Sequence, residues 1–400
     1  MRWFHVFTSL GLVVCVSGVL LLMRPDTHGS RPDPSPFFPA SDSEVLLRQV
    51  PGEGSAPSFG GTPIYDACAL VTIDSLTRLG VTLNHDRVVM HDYLDGDVPP
   101  EAAFEQPGDF VSGCSYGLSN GNALLVSVYQ TPYISPKDLD FQMGRPERAG
   151  APTRTEDGLS IAHVELDDSV EIRLWKPGLL VVVTLQTDKP GPYGSLDAQT
   201  FATRLETIAK TALSHGPTAP MRHVYTSLLD KVKHPCEVVS TEVFLASFPS
   251  RSAAAVQTQF HPKASLTPME RHPESALQGA SLCSRHNIVP GGTTNKAEYR
   301  ELDLKITWWD KTQAAVDLNS YLCDPADRHP FGPPVTVSPS VGTGQTCLTD
   351  TRIDWVLNFL VDNVNVSLDG GALTTAPPAL QRQAELMPAA QAIVSAGVFR

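Results

Sequence analysis

Three features of this 400-residue sequence predict an α+β fold. The expectation is two similar domains, each an antiparallel sheet packed with helices and stapled by a disulfide, after one N-terminal transmembrane helix. The features are a cysteine-bearing segment that recurs with its flanking pattern, alternating apolar stretches of strand length, and an amphipathic helix closing each repeat.

Trp3 to Met23 reads WFHVFTSLGLVVCVSGVLLLM and contains no Asp, Glu, Lys or Arg. That length matches the roughly 20 residues that cross a ~30 Å hydrocarbon core. A secretory signal has a shorter apolar region and a small-x-small cleavage site, whereas Arg24, Pro25 and Asp26 follow Met23. An uncleaved anchor is therefore expected over residues 1–23. Arg2 against Arg24 and Arg31 leaves its orientation open by the positive-inside rule. Residues 24–63 contain 8 Pro and 5 Gly, a composition that predicts a semi-extended stalk.

Beyond the stalk the chain repeats itself. Asp66-Ala-Cys68-Ala-Leu-Val-Thr72 is echoed by His234-Pro-Cys236-Glu-Val-Val-Ser240. A Ser or Thr lies four residues after each Cys and an acid (Asp74, Glu242) two further on, the pattern of a helix N-cap and a first-turn carboxylate. Apolar residues then recur at helical spacing: Ile73, Leu76, Leu79 and Val243, Leu245, Phe248. Cys114 follows 46 residues after Cys68, and Cys283 follows 47 after Cys236. Each precedes an alternating strand, 123–129 or 302–308. A hairpin comes next, 170–175 with 179–185 around Lys176-Pro177-Gly178, matched by 353–360 with 364–368 around Asp362-Asn363. Helices over 197–213 and 380–398 close the repeats. The resulting domains are 64–214 and 231–400, joined by a linker over 215–230 that begins in SHGPTAPM.

Cys15 lies in the span, which leaves six cysteines and 15 possible pairings. The duplication selects one: Cys68 with Cys114 and Cys236 with Cys283 are equivalent, so Cys323 pairs with Cys347. Paired cysteines imply an oxidising compartment, placing residues 24–400 outside the cytoplasm of a single-pass cell-membrane protein. Spacings that would hold zinc (C-x-x-C, H-x-x-x-H) do not occur, and no cofactor is expected.

The D-A-C-A-L-V-T start, with a second Cys some fifty residues later ahead of a strand, resembles actinobacterial envelope lipoproteins. Their domain of unknown function begins D-P-C-x-L-[LV]-[ST]. The resemblance covers 64–214 and 231–399, with His234 in place of the Asp in the second copy. It implies an exported, disulfide-bonded α+β sandwich, and is more distantly similar to the sensor domains of mycobacterial receptor kinases. Val14 precedes Cys15 where a lipobox needs a small residue, so an anchor helix would replace the lipid. Only Met1 and Arg2 precede the span, so no kinase is expected on its inner side. The family carries no established catalytic residues to transfer.

Candidate chemistry is sparse. Gly113-Cys114-Ser115-Tyr116-Gly117 fits G-x-S-x-G, but a nucleophile elbow needs a strand before the Ser and a helix after it, and here a strand follows. Asp92, Asp95 and Asp97 with Glu101, Glu105 and Asp109 form the densest acidic stretch, beside His91. Its spacing is not a calcium loop, and a solvated acidic loop is expected. Trp308 and Trp309 should face opposite sides of a strand, one into the core and the other to solvent or a helix. Asn365-Val-Ser367 matches a glycosylation sequon and receives no weight. By residue count 60–215 carries 21 acids and 11 bases, against 17 and 15 in 222–400, so most of the net charge of −13 lies in the first copy. That balance excludes nucleic acid as a partner, since nothing would neutralise phosphates. The expected function is non-enzymatic: binding a protein partner or a small envelope ligand, in a cleft between the copies. The alternatives are a serine hydrolase using Ser115 and a structural spacer with no ligand.

Overall fold

Capping side chains start the helices of both halves. In the computed structural model, Asp66 accepts from the Ala69 N–H and opens a short helix, Ala67–Leu70, while Thr72 and Ser75 form a capping box that opens Ile73–Arg78. In the second half His234 Nδ1 accepts from the Cys236 N–H ahead of Pro235–Val238, and Ser240 caps Thr241–Ser247. The structure describes residues 46–81, 83, 89–98, 110–187, 193, 196–226, 232–249, 255–261, 278–287, 299–309, 311–326, 331–352, 354–370 and 377–398.

A ribbon strand, β1 (Leu46–Val50), precedes two short strands, β2 (Ser58–Phe59) and β3 (Thr62–Pro63). The first half then supplies β4 (Val89–Leu94), β5 (Asp97–Val98), β6 (Ser112–Gly117), β7 (Ala123–Gln130), β8 (Thr153–Glu156), β9 (Leu159–Glu165), β10 (Ser169–Lys176) and β11 (Leu179–Gln186). After β12 (Arg222–Thr226) the second half supplies β13 (Ala255–His261), β14 (Gln278–His286) and β15 (Glu301–Trp309). It ends with β16 (Val335–Thr336), β17 (Cys347–Asp350), β18 (Trp355–Val361) and β19 (Val364–Asp369).

Fourteen of these strands form one sheet in the order β16-β17-β18-β19-β15-β14-β13-β4-β6-β7-β11-β10-β9-β8. The sequence reading assigned each repeat a sheet of its own; instead, β4 and β13 pair antiparallel and fuse the two halves. The physical reason is that an unpaired first strand would expose a row of N–H and C=O groups, and each half satisfies the other's. Residues 44–400 accordingly form one compact unit. A second departure concerns the stalk. Its last 18 residues, 46–63, are folded: β1 pairs with β12, and Phe59 is buried. Averaging Pro and Gly over forty residues concealed the run Glu44-Val-Leu-Leu-Arg-Gln-Val50.

Helix Ala198–Ser214 buries Phe201, Leu205 and Ala209 against β10 and β11. Helix Ala379–Ala396 buries Leu386, Ala389 and Ile393 against helix Thr241–Ser247 and strands β18 and β19. Each large apolar side chain so buried contributes about 1.5–3 kcal/mol, which outweighs local helix propensity. The opposite sheet face carries one smaller helix in each half: Leu139 of Pro136–Met143 meets Leu180 and Val182, and Ala315 of Thr312–Cys323 meets Trp309 and Leu360. Trp308 therefore lies in the main core and Trp309 under a helix, its indole N–H donating to Asn365 Oδ1 at 2.8 Å.

Disulfides join Cys68 to Cys114, Cys236 to Cys283 and Cys323 to Cys347. Among the described residues no helix is long and apolar enough to cross a membrane. The Trp3–Met23 span lies outside the described residues, as does the stalk up to residue 45.

Candidate functional site

The seam where the halves join has a local two-fold pattern. His91 pairs with Cys114 on one side and Thr258 on the other, and Thr258 pairs in turn with Cys283. Read across the sheet, Cys114, His91, Thr258 and Cys283 form a row that has the same order of elements from either end. The β1–β12 ribbon lies beside this row, with the His223 ring 5.5 Å from that of His91. At the end of the ribbon its two chains approach closely enough to dictate a glycine: a Cβ on Gly52 would stand 2.1 Å from the Pro220 carbonyl oxygen.

Between ribbon, sheet and cap helices lies a cleft of about 300 Å³. His91, Tyr93 and Asp95 line it from the first half, and Arg222, His234 and Arg285 from the ribbon and the second half. Its floor is the His91–Asp66 pair. His91 Nε2–H donates to Asp66 Oδ1 at 2.5 Å, with both side chains at most 2 % exposed. Asp66 Oδ2 also accepts from the Ala69 and Met221 N–H groups at 3.1 and 3.0 Å, so this carboxylate is well supplied with donors. Ser112 Oγ accepts from the Ala67 N–H and donates to the Asp92 carbonyl, closing the network beneath. With Nε2 committed, His91 Nδ1 is left buried with no partner.

A second network holds the roof. Gln49 Oε1 accepts from the Ile73 N–H at 2.6 Å, and its amide donates to His223 Nε2 at 2.9 Å and to the Tyr116 hydroxyl at 3.1 Å. Tyr116 passes its proton donation on to the Val71 carbonyl. Burial holds His223 well below its ordinary range, reinforced by the neighbouring His91 and His234. In the second half Arg285, 3 % exposed, donates to the Val239 carbonyl and pairs with Asp95 at 2.8 Å. Arg222 reaches Glu237 and Glu53 at the rim.

The acidic stretch behaves differently from the solvated loop expected of it, because His91 and Asp92 lie on an interior strand. Asp92, bonded to the Gln257 amide across the seam at 2.5 Å, is pushed up to about 6 by burial. Asp97 accepts from Ser58 at the surface. Glu101, Glu105 and Asp109 lie outside the described residues. Among the described residues no cluster of His, Cys, Asp or Glu has a metal-holding arrangement.

Ser115 sits mid-strand in β6, between Met90 and Leu125, and the next element is strand β7 rather than a helix. This is not an elbow, because an elbow lifts the Ser out of the sheet. Asn365 is buried in β19 and bonded to Trp309 and the Ala315 carbonyl. Elsewhere in the second half, Asp303 stands opposite Asp369 with Glu301 two residues along. Burial raises all three, Glu301 to about 7 and Asp369 to about 8.

Sequence reasoning missed the His91–Asp66 pair, Gln49, His223 and Arg285. A signal for the first was present: Val89, His91 and Tyr93 alternate in a run flanked by apolar residues, the pattern of a strand with a histidine on its covered face. No family model, curated protein or solved structure matches the chain. The resemblance to actinobacterial envelope lipoproteins thus rests on the short cysteine motif itself.

Proposed function

We propose that this chain is a non-enzymatic, membrane-anchored binding protein whose tandem halves take a small polar ligand in the cleft at their seam. The single observation that carries this reading is the cleft itself: both halves contribute side chains to it, His91, Tyr93 and Asp95 from one and His234 and Arg285 from the other. A concave site with a few convergent polar groups is the usual form of a small-molecule pocket. The volume, at the small end of ligand pockets, favours a small molecule over a protein partner. Residues 3–23 supply the anchor in this proposal and residues 24–400 are extracytoplasmic. The three disulfides support that placement, since such bonds persist in oxidising compartments.

The test is a thermal-shift screen of the full-length chain against small polar metabolites of neutral, cationic and anionic classes. At least one compound is expected to raise the unfolding temperature of the wild type and to lose that effect in Arg222→Ala. Absence of any stabilising compound, or equal stabilisation of both proteins by every hit, overturns the reading.

A further inference from the structure

The ribbon beside the cleft is tied to the first half by a hydrogen-bond chain whose direction is fixed throughout. It begins at the Ile73 N–H, a free donor in the first turn of helix Ile73–Arg78, which Gln49 Oε1 accepts at 2.6 Å. That bond sets which end of the Gln49 amide points where, because an amide turned over would face the N–H with its NH2 group. The NH2 group then donates to the Tyr116 hydroxyl at 3.1 Å and to His223 Nε2 at 2.9 Å. Tyr116 in turn donates to the Val71 carbonyl, which leaves its oxygen to accept from the amide. His223 Nε2 therefore presents its lone pair and carries no proton. Gln49 and His223 stand directly opposite each other on β1 and β12, at 7 % and 2 % exposure, which leaves water little room to replace either partner.

Protonating His223 Nε2 sets two donors against each other. This conflict does not depend on the charge of His91, whose ring lies 5.5 Å away. Charge on His91 or His234 adds to it, and burial opposes an imidazolium further. The carboxylates around the cleft are engaged by other groups: Asp66 by His91, Asp95 by Arg285, and Glu53 and Glu237 by Arg222. The Tyr93 and Tyr116 hydroxyls, pushed far up by burial, keep their protons and bring no negative charge. The ribbon is also tied to the first half by the Met221 N–H, which donates to Asp66 Oδ2 at 3.0 Å, and it forms one side of the cleft at Glu53, Met221 and Arg222.

We propose that the ribbon is a pH latch on the cleft: with His223 neutral, Gln49 clasps both His223 and the Ile73 N–H, and with His223 charged the clasp opens and the ribbon lifts from the first half. The closed form is favoured above the ordinary histidine value of about 6.5 and is lost as pH falls below it. On the reading of the cleft as a ligand site, acid would release the ligand.

Amide hydrogen exchange of the full-length chain reads the latch. It is followed residue by residue by NMR without any ligand, from about pH 8 to about pH 5, and corrected for the intrinsic exchange rate. The Ile73 and Met221 amides should lose protection by up to about tenfold per pH unit below about 6.5, while the amides of β11 keep theirs. His223→Gln supplies a neutral acceptor to the Gln49 amide and should make the protection of both amides independent of pH. Gln49→Glu keeps an acceptor for the Ile73 N–H and offers a second oxygen to a charged His223, so the dependence should reverse, with protection greatest in acid. Flat protection in the wild type overturns the latch, as does an equal fall in wild type and His223→Gln. So does protection that still falls in acid in Gln49→Glu. An empty thermal-shift screen would remove the ligand and leave these outcomes unchanged, so loss of the ligand site and loss of the latch are told apart.

Discussion

At matched positions the two halves keep the same structural device and change its chemistry. Asp66 and His234 both cap the helix that carries the first cysteine, yet one is a carboxylate with three close donors and the other an imidazole. Tyr116 and Arg285 both lie two residues beyond the second cysteine, and each donates to the carbonyl two residues before a helix: Val71 in one half and Val239 in the other. His91 and Thr258 face each other across the seam itself. The lesson is that the backbone hydrogen-bonding problem is solved identically twice. The side chains that solve it are free to differ, provided that each satisfies the same orphan group. That freedom makes the cleft asymmetric, with the His91–Asp66 pair from one half and the Arg285 guanidinium from the other.

The largest test of this comparison removes one disulfide from each half in turn. Replacing Cys68 and Cys114, or Cys236 and Cys283, by alanine opens loops of 46 or 47 residues and should cost about 4 kcal/mol in either case. Because β4 and β13 fuse the halves into one sheet, calorimetry should still show a single transition, moved to lower temperature. Two separated transitions would mean that the halves fold independently.

The caps should divide the halves next. Asp66→Ala removes a helix cap, the partner of His91 and the acceptor for Met221, at a cost of about 2–3 kcal/mol. His234→Ala removes the equivalent cap and should cost about 1 kcal/mol. Urea denaturation that gave equal losses would erase the asymmetry.

A smaller difference is expected between Arg285→Met and Tyr116→Phe. Each leaves a carbonyl unpaired, for about 1 kcal/mol. Arg285→Met also strands Asp95, but that side chain is 49 % exposed, so solvent screening keeps the additional loss under about 1 kcal/mol. The order Arg285→Met above Tyr116→Phe is the checkable outcome in the same denaturation series.

The smallest effect is the dependence on pH. Asp369, raised to about 8 in the second half, and Asp92, raised to about 6 at the seam, hold their protons longer folded than unfolded. Their contribution to stability is therefore present at low pH and is lost as pH rises from the ordinary carboxyl range through about 6 and about 8. His286, pushed down to about 4, acts in the opposite direction: its contribution is present above about 6.5 and is lost as pH falls towards 4. Two raised carboxyls outweigh one lowered imidazole, so unfolding temperature should fall as pH rises from about 4 to about 8. Asp369→Asn should flatten that fall across about 4 to 8; a profile unaltered by that change would show that Asp369 titrates normally.

Much of this fold was legible in the chain. The recurring Cys-x-x-x-[ST]-x-[DE] spacing located both caps and implied the three cysteine pairs, because caps and disulfides are local or strongly patterned demands. The hairpins at Lys176-Pro177-Gly178 and Asp362-Asn363 were legible for the same reason: Gly178 and Asp362 adopt positive φ, at +79° and +55°, in turns between alternating strands. The site was much less legible. Read along the sequence, His91-Asp92 belongs to an acidic stretch, and nothing near it reveals that Asp66 lies 25 residues back with its carboxylate in contact. Arg285 and Gln49 likewise look like ordinary surface residues until strands far apart in sequence bring them to the seam.

By itself, then, the sequence determined what short-range physics can enforce: the caps after the first cysteines, the two hairpins, the closing helices, which cysteines match, and that Trp308 and Trp309 face opposite ways. Only the tertiary structure decided that β4 meets β13. A strand edge has the same N–H and C=O groups whatever its sequence, so pairing partners are selected by what the rest of the fold leaves open. The cleft follows from that choice, because its floor, wall and roof come from segments that meet only when the two halves close into a single sheet.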